Sequence, residues 1–129
     1  MTFIGRMLGA VLLVIIAGPA RLPAQAAPAD SAQLALGKRI FQGRGLCFSC
    51  HGMNGEGALG PTTRLAGRAP VHVKAELAAV VDLIKQGVDS AHSSIGQVMP
   101  PRGGGRLTDD EVRAVASYVL KLISEKMSQ

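Results

Sequence analysis

The chain has 129 residues, 14 basic against 9 acidic side chains, a formal net charge of +5 and two cysteines. This length suits one domain, and its basic residues are scattered rather than gathered into the stripe that nucleic-acid binding needs, which excludes that class of partner. A disulfide across the two-residue gap between Cys47 and Cys50 would close too small a loop to restrict the unfolded chain much, so the domain must be stabilised by another route.

The N-terminus reads as a targeting segment. Met1 to Arg6 carries one positive charge, Met7 to Gly18 is an uninterrupted apolar run, and Ala24-Gln25-Ala26 matches a small-residue cleavage rule. The apolar run is 12 residues long; a spanning helix needs roughly 20. Residues 1–26 are therefore expected to be a secretory signal peptide, cleaved after Ala26, with 27–129 forming the exported domain. Export would be to a periplasm in a Gram-negative source. An uncleaved segment would instead anchor the domain to the outer face of the inner membrane, and only then would a membrane be a partner. Cleavage removes Arg6 and Arg21 and leaves 12 basic against 9 acidic residues, a mild +3.

Asp30, with Gln33 three residues on, resembles a capping box and opens a helix predicted over 31–42 that carries Leu34, Gly37, Ile40 and Phe41. Glycine in mid-helix costs about 1 kcal/mol relative to alanine, so Gly37 suggests the close approach of another helix, with Phe41 on the same face. Gly43-Arg44-Gly45 ends this segment. Cys47-Phe48-Ser49-Cys50-His51 follows, the C-x-x-C-H signature of c-type haem attachment. Its spacing has a chemical reason. Two thiols about one helical turn apart can add to the two vinyl groups on one edge of a porphyrin, and the next residue offers an imidazole nitrogen to the iron.

Residues 52–60 carry four glycines and no apolar period, and read as a loop closed by Gly60-Pro61. An irregular stretch with two arginines runs to Pro70. A second helix is predicted over 74–86 from Leu77, Val80, Val81 and Ile84, with Gly87 as its C-terminal cap. Residues 88–106 form a loop long enough to suggest function. The last helix begins at the capping box Thr108-Asp109-Asp110-Glu111 and continues to about residue 126 with a stripe of Val112, Val115, Ala116, Val119, Leu120 and Ile123.

A second axial ligand decides between an open iron and an electron-transfer site. Met53 lies too close to His51 to reach the opposite face of a porphyrin, Met127 lies at the fraying end of the last helix, and His72 reads as a surface residue. Met99 is favoured, because Pro100 and Pro101 restrict its backbone and stiffen its exit; His92 on the same loop is the rival. A zinc or dithiol site at Cys47, Cys50 and His51 is disfavoured, since zinc wants four ligands and no second cysteine pair exists.

From about residue 31 to 124 the chain resembles the class I, mitochondrial-type monohaem cytochromes c. The resemblance rests on the ordered set Gly37, Phe41, Cys47-x-x-Cys50-His51, Gly60-Pro61, Gly67-Arg68, Met99-Pro100 and a last helix bearing Tyr118. It implies an all-α fold of three main helices plus loops wrapped around one haem c, bound covalently through Cys47 and Cys50. It further implies His51 and Met99 as axial ligands, a pairing that raises the reduction potential. The Pro61 carbonyl would accept a hydrogen bond from His51, and Arg68 would lie near a haem propionate. The implied function is electron transfer between redox partner proteins with the iron cycling between Fe(II) and Fe(III), not enzymatic turnover. The alternatives are a haem subunit of a periplasmic dehydrogenase or oxidase complex, and a haem peroxidase. No tryptophan is present and lysines are sparse, so the docking surface should differ from that of the mitochondrial proteins.

Overall fold

The computed structural model of the protein describes residues 29–125; the expected signal segment and Met127 lie outside them. Its elements are α1 (Ser31–Phe41), the single turn α2 (Phe48–His51), a 3-10 turn (Pro61–Thr63), α3 (Leu77–Gln86), a second 3-10 turn (Pro101–Gly104) and α4 (Asp109–Ser124). Three main helices joined by loops make the expected all-α arrangement. Among the described residues one isolated antiparallel bridge, Val88 with Met99, is the sole β pairing, and no helix is long and apolar enough to cross a membrane.

The helix starts follow their caps. Asp30 accepts a hydrogen bond from the Gln33 backbone N–H at 2.6 Å, and only this half of the expected box forms. At α4 the box is complete: the Thr108 hydroxyl accepts from the Glu111 N–H, and the Glu111 carboxylate accepts from the Thr108 N–H. Arg44 pairs with the same Glu111 carboxylate, so the cap also ties the turn before Cys47 to α4. Helix α3 starts at Leu77, three residues later than its apolar spacing suggests. The Lys74 carbonyl is already taken by the Glu76 N–H at 2.8 Å, a bend that the i to i−4 ladder of a helix cannot contain.

The core is the crossing of α1 and α4. Val112, Val115, Ala116, Val119 and Leu122 face inward from α4, and Ile40 and Phe41 meet them from α1. Gly37 explains how the two backbones come so close. A Cβ there would lie 2.1 Å from the Ala114 carbonyl oxygen and 2.9 Å from Tyr118 Cβ. One turn on, Phe41 is fully buried and meets Tyr118 edge-on, with ring centroids 5.4 Å apart, a geometry favoured by the ring quadrupoles. Val80 and Ile84 bring α3 onto the same cluster.

At the start of α4, Asp109 receives Lys85 Nζ from the end of α3 at 2.8 Å and Arg102 Nη2 at 2.7 Å. These two cations pull its carboxyl from 3.8 down to about 2. A depressed folded-state value means that the contribution is fully present above the unfolded value and is lost as pH falls through the folded one.

Two outcomes test this packing. Gly37→Ala should lose about 1–3 kcal/mol in denaturant unfolding, because overpacking outweighs the gain in helix propensity; an unchanged or raised midpoint would contradict the close crossing. The acid unfolding curve of Asp109→Asn should be shallower than that of the parent between about pH 4 and pH 2. Superimposable curves would show that the Asp109 ion pairs do not stabilise the fold.

Candidate functional site

Cys47, at the entry to α2, and Cys50 and His51 within it reach one cleft of about 420 Å³, bounded further by the 62–72 segment, α3, the 88–104 loop and α4. Met99 and Arg68 line the same cleft. Both thiols are free. Burial pushes the Cys47 thiol up to about 11, so it keeps its proton at neutral pH.

His51 is set by its backbone partner. Its Nδ1 lies 2.7 Å from the Thr63 carbonyl oxygen. A carbonyl can only accept, so Nδ1 carries the proton and Nε2 is left with a free lone pair. Burial lowers the pKa of His51, while the bond to Thr63 opposes that shift. The ring is therefore a neutral nitrogen base of fixed tautomer. Phe41 lies beside it, with ring centroids 6.5 Å apart.

The resemblance implies the Pro61 carbonyl as the partner of His51, but the Thr63 carbonyl takes that place. The Pro61–Thr63 turn advances the chain, so the Thr63 carbonyl is the one that meets the imidazole. The Pro61 carbonyl instead accepts from Arg68 Nη1, and Pro61 does not line the cleft. Arg68 does, and Arg64 joins it there with Nε donating to the Ala66 carbonyl at 2.9 Å. Arg64 was not singled out beforehand; its signal was only a second arginine in an irregular stretch. These two guanidiniums are the charged side chains of an otherwise mainly apolar lining.

Met99 is held more firmly than two following prolines alone would achieve. Its N–H donates to the Val88 carbonyl and its carbonyl accepts from the Val88 N–H, both at 2.8 Å. Gly87, just before Val88, has φ 72, and a Cβ there would lie 2.3 Å from the Met99 carbonyl oxygen. Pro100 continues extended at φ −69, ψ 151. The alternatives fall elsewhere. Met53 is exposed, and His92 is exposed and paired with Asp89 at 2.9 Å, neither of them lining the cleft. His72 is exposed at the cleft rim. Among the described residues no three His, Cys, Asp or Glu side chains gather as a metal cage.

Two thiols, a neutral imidazole nitrogen and a thioether sulfur in one apolar cleft are a donor set suited to a covalently attached iron porphyrin. The two guanidiniums suit its carboxylates. The residues present fit that group.

Comparison with known proteins agrees with this chemistry. The family profile described as Cytochrome c matches residues 34–122. Among solved structures, the chain is similar to cytochrome c6 from the diatom Phaeodactylum tricornutum, with 25% identity and a TM-score of 0.53 over 70% of this chain and 93% of that one. Comparison with curated proteins gives no match.

Gly87→Ala should release the Met99 segment. At φ 72, ψ −168 Gly87 occupies a backbone region essentially reserved for glycine, where a side chain costs about 1–3 kcal/mol, and the clash with the Met99 carbonyl adds to it. Amide hydrogen exchange at Val88 and Met99 should then speed up by about tenfold or more; unchanged protection at both would show that the bridge does not depend on Gly87.

Proposed function

The chain belongs to the cytochrome c family, whose profile spans most of it, and from that premise we propose a one-electron carrier with a single haem c attached through Cys47 and Cys50 and ligated by His51 and Met99. Haem-based electron transfer follows from the family; the ligand assignment is our reading. When bound, the haem supplies a reversible Fe(II)/Fe(III) couple.

The observation that carries this reading is the convergence of His51 and Met99 on one cleft, each fixed through its backbone surroundings. Thr63 holds the His51 proton on Nδ1 and leaves Nε2 as the donor atom. Val88 holds the Met99 backbone on both sides of its Cα. Cys47 and Cys50 would hold the haem by adding their S–H across its vinyl double bonds, the sulfur bonding one carbon and the hydrogen the other, so attachment would need no oxidant. Val80, Ile84, Val115 and Val119 wall the cleft with aliphatic surface that excludes water. With His51 and Met99 both holding the iron, no position would remain open to a substrate, which favours a carrier over a peroxidase. Arg64 and Arg68 would bind the carboxylates of the porphyrin.

The same proposal includes export of the 27–129 domain after removal of residues 1–26, and separate donor and acceptor proteins as its partners.

Met99→Ala should leave the protein folded, lower its reduction potential and abolish the far-red sulfur-to-iron band of the oxidised form. Imidazole should bind at least about tenfold more tightly once the competing ligand is gone. An unchanged potential and visible spectrum would refute the assignment of Met99.

A further inference from the structure

The 88–99 loop has two ends, and both are tied to the same side chain. Lys85 precedes Val88 by three residues, and Arg102 follows Met99 by three. Lys85 Nζ reaches Asp109 Oδ2 at 2.8 Å, and Arg102 Nη2 reaches Asp109 Oδ1 at 2.7 Å. The two oxygens of one carboxylate thus each take one flank of the Val88–Met99 bridge. Arg102 is fixed further, since its Nη1 donates to the Leu107 carbonyl at 2.7 Å and its backbone sits in the left-handed region at φ 55. Asp109 is the first residue of α4, the longest helix among the described residues, whose Val112, Val115 and Ala116 are buried in the core.

We propose that Asp109 is a positioning residue for Met99, acting as a latch that holds both ends of the 88–99 loop against α4 and so resists displacement of Met99 by a small external ligand. This rests on the reading of Met99 as an iron ligand. Asp109 does not itself touch the cleft; it acts through Lys85 and Arg102. An external ligand can reach the iron only when the Met99 segment has moved away. Anything that makes the opened state easier to reach therefore tightens the apparent binding of that ligand. Exposed ion pairs are individually weak and weaken further with salt, yet two pairs on one carboxylate share the cost of ordering it.

The test is imidazole titration of the oxidised holoprotein, followed by the far-red sulfur-to-iron band. Asp109→Asn should bind imidazole about two- to tenfold more tightly than the parent. Lys85→Gln, which removes one pair and leaves the start of α4 intact, should show a smaller shift in the same direction and covers the case in which Asp109→Asn does not fold. Asp110→Asn removes a neighbouring carboxylate from the same helix end, one that forms no ion pair among the described residues, and should leave imidazole affinity unchanged. Equal affinity of Asp109→Asn, Lys85→Gln and the parent would overturn the latch, as would an equal shift in Asp110→Asn. A parent protein without the far-red band would overturn the Met99 reading and the latch together, whereas a band in the parent with unmoved variants overturns the latch alone.

Discussion

With only Phe41, Phe48 and Tyr118 as aromatic side chains among its described residues, this domain cannot fill its own interior. Phe41 and Tyr118 are used up at the crossing of α1 and α4, where Gly37 lets the backbones touch. What remains for the other side is Val, Ile, Leu and Ala, and they enclose a cleft rather than close it. Small domains have little buried surface to spare. A large flat apolar group seated in that cleft would complete the core as well as supply the chemistry, so attachment and folding are coupled in our account.

The two proposed ligands are restrained by different means. His51 sits on a single helical turn, and its orientation comes from one hydrogen bond to a carbonyl twelve residues on. Met99 has no helix beneath it. It relies on a two-bond bridge to Val88, a glycine that permits close approach, and an extended proline exit. Such rigidity suits electron transfer, because a site that moves little when the iron changes charge spends little energy on rearrangement. Leu46, immediately before Cys47, and Arg102, three residues after Met99, both adopt left-handed backbone, which non-glycine residues adopt infrequently. Irregular backbone thus borders both functional segments, as is common where a site dictates the local geometry.

Much of this was legible in the sequence, and what was missed has identifiable causes. The helices were readable from apolar spacing and caps, because those signals are local. Gly37 was readable as a close contact because a glycine in mid-helix is otherwise unfavourable. Cys47, Cys50, His51 and Met99 were readable as candidates because the chemistry of attachment dictates their types and order. The partner of His51 was not, since it depends on how many residues the Pro61–Thr63 turn consumes, and Thr63 offers only its backbone. The Val88–Met99 bridge was equally invisible, because one pair of residues has no periodicity. The Asp109 ion pairs join residues 24 and 7 positions apart, and nothing local announces them.

The central claim is that Met99 sulfur completes the iron site begun by His51. Iron-edge X-ray absorption on the oxidised native protein tests it most directly, because it reports the elements bonded to the iron whatever the potential or the partner. Our account predicts one sulfur among otherwise nitrogen neighbours. A neighbour shell of nitrogen and oxygen alone would contradict it.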